Sequence, residues 1–117
     1  MSEADAVDAF VVEADLELAE GEDPRAVGAA VTAELCGHWE HEGACRWPHN
    51  NEIDESARPA RFRTLFVATP TDEGEVRARI ERSLRAAEGW QVLGLRRRPV
   101  AHDERGLADR LLSGPRA

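Results

Sequence analysis

The chain has no lysine, no tyrosine and a single methionine, and its 117 residues include only two cysteines. No apolar run approaches the roughly 20 residues that would span a bilayer, which argues against any membrane-spanning helix. The opening residues, MSEADAVDAF, are acidic where a secretory leader is basic and then apolar, so a cytoplasmic location is expected. In a reducing compartment two cysteines serve as thiols or metal ligands; a Cys36–Cys45 disulfide fits only if the compartment is oxidising. There is no glycine-lysine phosphate loop and no G-x-G-x-x-G, so a nucleotide cofactor has no visible cradle. All fifteen basic residues are arginine, which we read, with the many alanines, as the codon usage of a GC-rich genome.

What the chain does have is charge, unevenly placed. With 42% hydrophobic and 32% charged residues, it reads as one folded domain over residues 1–117, of ordinary domain size. Residues 1–57 carry two arginines against fifteen acids, a balance of −13, while residues 58–117 carry thirteen arginines against eight acids, a balance of +5. The halves attract, so acidic segments should pack beside basic ones, within the chain or across a dimer. The overall charge of −8 opposes tight non-specific binding to phosphate backbones. Nucleic-acid binding through the arginine-rich half is therefore the third-ranked function class.

The spacing of Val7, Phe10, Val11, Ala14 and Leu18 predicts a helix over residues 5–19, stopped by Gly21. Asp23-Pro24 opens a second helix that runs to about Cys36, with Gly37 as its exit, giving a helical pair over about 5–36. Residues 36–58 read as a loop segment, polar over 50–59, with at most a short edge strand over 45–49 because of Pro48. Residues 61–68 form a strand whose Leu65-Phe66-Val67 centre is apolar on both faces, which places it inside a sheet. Thr71-Asp72 caps a helix through about Ala87, with Val76, Ile80 and Leu84 inward. Glu73–Arg77, Glu75–Arg79 and Glu81–Arg85 pair along its outer face.

Residues 90–98 form a further strand, so 61–98 is a βαβ unit with parallel strands and a right-handed crossover. Alternation puts Arg97 on the opposite side from Arg96 and Arg98, and acids are their expected partners. The tail, 99–117, holds a short helix around Leu107, Leu111 and Leu112. The expected architecture is an α+β sandwich with helices on one face of a sheet of about three strands. Its open edges are a reason to expect a homodimer.

One segment concentrates unusual chemistry: CGHWEHEGACRWPH, residues 36–49, holds both cysteines, three of the four histidines and two of the three tryptophans. Cys36, His38, His41, Cys45 and His49 stand in the pattern C-x-H-x2-H-x3-C-x3-H. Zinc takes four such sulfur and imidazole ligands: four filled positions make a structural site, and three plus water permit hydrolysis. The pattern lacks the paired C-x2-C of the zinc ribbons. His38-Trp39-Glu40 matches the H-x-E of zinc deaminases, but no P-C-x-x-C follows. His41-Glu42-Gly43-Ala44-Cys45 resembles H-E-x-x-H, with Gly43 weakening the helix that presents the ligands.

The ordinary alternative is that the cysteines are small buried residues, Trp47 and Trp90 are core, and the histidines are hydrogen-bonded. Function is expected to be that of a binding or regulatory module with a protein partner, stabilised by a structural zinc ion. The competing class is an enzyme with Cys36 or Cys45 as thiolate, or a metal-activated water, and a histidine as base.

Overall fold

The computed structural model describes residues 6–36 and 46–113. The chain forms, in order, β1 (Asp8–Leu18), α1 (Arg25–Cys36), β2 (His49–Asp54), β3 (Ala60–Ala68), α2 (Pro70–Ala86), β4 (Trp90–Arg98), a single 3-10 turn (His102–Glu104) and α3 (Arg105–Ser113). The strands make one sheet in the order β2-β3-β1-β4, with antiparallel neighbours throughout. β1 and β2 therefore run the same way with β3 between them, and β3 and β4 run the same way with β1 between them. Two interleaved βαβ units result, the β-α-β-β-α-β order of the split βαβ, or ferredoxin-like, arrangement. The α+β class holds, with four strands where about three are expected.

The first predicted helix is instead β1. Val12, Ala14 and Leu16 point to the helix-covered face, while Glu13, Asp15 and Glu17 alternate to the other. That two-residue period is hidden at the start of the strand, because Phe10, Val11 and Val12 all find apolar cover: Val11 packs in a separate cluster on the opposite face. Helix-favouring Ala, Leu and Glu complete the disguise, and the tertiary pairing overrides them. The predicted helical pair over 5–36 is thus a strand and a helix. The predicted edge strand at 45–49 also moves, to 49–54, where Asn51 and Ile53 face inward against β3.

The turn between β1 and α1 is made by Gly21, whose φ of +83° is open to glycine at little steric cost. Asp23 caps α1 by accepting the Arg25 N–H at 2.9 Å. At α2 the cap lies two residues earlier than predicted: Thr69 accepts the Asp72 N–H at 3.2 Å and Pro70 occupies the first helical position, where a missing N–H costs nothing. The Trp90 indole donates to the Leu84 carbonyl at 2.9 Å, satisfying one of the carbonyls that the end of α2 leaves open.

Val27, Val31 and Leu35 of α1 and Val76, Ile80 and Leu84 of α2 share one core with Val12, Leu16, Phe62 and Phe66 of the sheet, and Trp47 and Trp90 belong to it. Glu34 of α1 ties the helices together by meeting Arg79 and Arg82 of α2 at 3.3 and 3.2 Å. The three predicted pairs along α2 form at 2.8 to 3.6 Å. α3 lies on the other face, where Ala108, with Leu107 and Leu111 beside it, covers Val11 and Leu65. Among the described residues no helix is long and apolar enough to cross a membrane.

Candidate functional site

The five predicted ligands fall in different situations. Cys36 ends α1 and is disulfide-bonded. His49 begins β2. His38, His41 and Cys45, like Trp39, lie outside the described residues. Among the described residues no three histidine, cysteine, aspartate or glutamate side chains converge as a metal site would require. A bonded Cys36 sulfur is no thiolate, and lasting disulfides belong to oxidising compartments, so the expected cytoplasmic location gains no support from this residue.

His49 takes part in a polar seam between α1 and the sheet. Its Nδ1 lies 3.0 Å from the Trp47 carbonyl and its Nε2 2.9 Å from the Thr32 hydroxyl. A carbonyl only accepts, so Nδ1 carries the proton and Nε2 of the neutral ring accepts from Thr32. The Thr32 oxygen in turn accepts the Asn51 amide at 3.1 Å, the same amide donates to the Gly28 carbonyl at 3.0 Å, and Asn51 Oδ1 accepts from Thr64 at 2.8 Å. The chain is continuous and correctly polarised. Burial pushes the His49 imidazole below its usual range, against the opposing pull of the Trp47 carbonyl. A metal at Nε2 would have to displace the Thr32 hydroxyl. Beside the seam, Trp47 is buried with the guanidinium groups of Arg46 and Arg79 at 4.4 and 5.2 Å from its ring centre.

The sheet face turned away from α1 and α2 is a lattice of opposite charges. The register sets Glu52, Arg63, Glu13 and Arg96 in one row across the four strands. Arg63 meets Glu52 and Glu104 at 3.1 Å each. Arg96 meets Glu13 at 2.7 Å and Asp15 at 2.9 Å, and Arg98 meets Glu13 at 3.1 Å and Glu104 at 2.8 Å. Arg97 turns the other way, to Glu73 at 3.0 Å. The acidic first half and basic second half of the sequence are thus interleaved within one sheet. These arginines are committed to carboxylates.

Beside the β2–β3 hairpin lies a groove of about 610 Å³, within the size range of ligand sites. It is lined by Leu16, Glu17 and Leu18 of β1, Glu22 and Pro24 of the following turn, Glu55, Arg58, Pro59 and Ala60 around the β2–β3 hairpin, and Leu93 of β4. The Arg58–Pro59 bond in that hairpin is cis. Leu93 is the one large apolar side chain that is openly exposed among the described residues, at 53%. It is the extra residue of a β-bulge, since Gly94 pairs with Asp15 and Val92 with Leu16, leaving no partner for the residue between. Bulges of this kind re-aim a side chain. Sequence alternation could not reveal this, because Leu93 there reads as one more strand residue.

No family model matches the chain, and neither the curated proteins nor the solved structures contain a match.

Proposed function

We propose that the protein is a binding module that receives a short segment of a protein partner in the groove at the hairpin end of its sheet. The observation that carries this reading is Leu93, held out of the core by a bulge and set at the wall of a groove floored by Leu16, Leu18, Pro24, Pro59 and Ala60. An apolar anchor beside a concave, partly apolar surface is what a side chain of a partner needs for burial. Titration of the labelled protein with uncharged, leucine-bearing peptides should shift the NMR resonances of Leu18, Ala60 and Leu93 and leave those of α3 in place. Leu93→Ser should abolish the effect; spectra unchanged by every peptide would overturn the reading. A homodimer is the competing use of the same surface, and would show as a doubled mass in sedimentation that Leu93→Ser returns to monomer.

A second reading is a structural zinc ion within residues 36–49, carried by the concentration of Cys36, His38, His41, Cys45 and His49 in that stretch. It needs Cys36, His38, Cys45 and either His41 or His49, with Cys36 as a thiolate and, where His49 is the fourth ligand, Thr32 moved off its Nε2, so it applies to the reduced protein. Elemental analysis of reduced protein, purified without a metal-affinity step, should then find about one zinc per chain. Folded, metal-free protein under those conditions would end this reading.

A further inference from the structure

We infer that the groove selects a basic segment: a peptide in which arginine or lysine alternates with aliphatic side chains. The inference rests on the groove being the contact surface, and it adds what the groove prefers. Three of its lining residues are acidic, Glu17, Glu22 and Glu55. None of them takes part in an ion pair among the described residues, although most acids on the sheet face do. The single cation in the lining, Arg58, is folded onto its own turn, donating to the Glu55 carbonyl at 2.7 Å and the Ala57 carbonyl at 3.2 Å. The Glu22 carboxylate lies over Gly89, in space that a Cβ at that position would occupy. An apolar floor under a rim of carboxylates suits a side chain with an aliphatic stem and a cationic head, which can bury the stem while its charge stays at the rim. Such a rim acts mainly on encounter and on discrimination between partners.

The test uses the full chain and three peptides of equal length and equal leucine spacing, with arginine, glutamine or glutamate between the leucines. At low salt the arginine peptide should bind about tenfold more tightly than the glutamine peptide, and the gap should close as salt rises. The variant E17Q/E22Q/E55Q should bind the arginine and glutamine peptides alike. Because the protein as a whole is acidic, a control is needed with the same loss of charge far from the groove. D8N/D103N/D109N provides it, and should keep the preference for arginine. A glutamine or glutamate peptide that binds the unmodified protein as well as the arginine peptide would overturn the inference. So would an arginine preference that survives the rim variant, or one that the distant control removes equally. Failure of all three peptides to bind would instead sink the binding reading itself. If the rim variant folds poorly, E17Q/E55Q set against D8N/D109N makes the same comparison with a smaller change of charge.

Discussion

The sheet face and the hairpin end carry the same kinds of side chain and use them in opposite ways. On the face, Glu13 lies between Arg96 and Arg98, and Glu104 between Arg63 and Arg98, so each charge is answered by a neighbouring strand or turn. At the end, Glu17 and Glu22 form no ion pair among the described residues, although Arg58 lines the same groove, and Leu93 is left in the open. A carboxylate that a strand register pairs with arginine helps to hold that register. One outside such a pair does not hold the register in that way.

The largest expected contrast follows from deleting one carboxylate in each region. Glu13→Ala should cost about 2 kcal/mol, because it strips two arginines of one acceptor each; the upper part of the range for charge-assisted bonds is not reached, since Arg96 is 40% exposed and screened by water and both arginines keep a second carboxylate. Glu17→Ala should change stability by no more than about 0.5 kcal/mol. Urea unfolding of both variants checks this, and equal losses would erase the distinction between the regions.

Acid should separate the sheet face from the polar seam. Burial pushes the Glu13 carboxyl up, but hydrogen bonds from Arg96 and Arg98 outweigh it and hold it below the usual carboxylate range. The Arg96 hydrogen bond does the same for Asp15, and that of Arg98 for Glu104. Groups depressed in this way stabilise the fold above their unfolded values, about 4, and lose that contribution as pH falls through their folded values. His49 is also depressed, for a different reason: its buried ring is held neutral, and charging it would break its acceptance from Thr32. Its contribution is present above about pH 6.5 and is lost as pH falls through its folded value. Denaturation midpoints against pH should therefore decline in two limbs. His49→Gln should flatten the limb nearer neutrality, and Glu13→Gln should flatten part of the acid limb.

Much of the scaffold was legible and the groove was not, for identifiable reasons. β3, α2 and β4 announce themselves through a run of apolar residues, a capped helical period and a tryptophan-led strand, each bounded by proline or glycine. The opposite aim of Arg97 from Arg96 and Arg98 follows from strand alternation alone. β1 reads as a helix because its start is covered on both faces. β2 does not read as a strand because its inward residues His49 and Asn51 each bond Thr32 instead of joining an apolar stripe. Residues 36–49 drew attention through composition, yet composition cannot show that Cys36 is bonded or that His49 faces a threonine. The bulge at Leu93 depends on how β4 is paired with β1, which no local pattern encodes.

A smaller effect is expected at Gly28, where α1 comes close enough to β2 that an added Cβ would lie 3.2 Å from the Asn51 Cβ. Alanine there gains helix propensity of up to about 1 kcal/mol. Asn51, however, is held by Gly28, Thr32 and Thr64 and cannot retreat without giving up hydrogen bonds. The net result should be a loss of about 1 kcal/mol, together with a shift of the His49 ring resonances. A more stable Gly28→Ala variant would show that the seam yields more easily than the sheet-face lattice.

The smallest effect on the fold should come from Leu93→Ser, and it separates the two regions most directly. Removing an exposed leucine from a bulge withdraws little buried area, so stability should move by no more than about 0.5 kcal/mol, in either direction. Binding of leucine-bearing peptides should nevertheless be lost, because the variant removes the apolar wall of the groove without disturbing its floor. A cost well above that value would mean that Leu93 supports the sheet as the paired charges do, and the hairpin end would then be one more structural region.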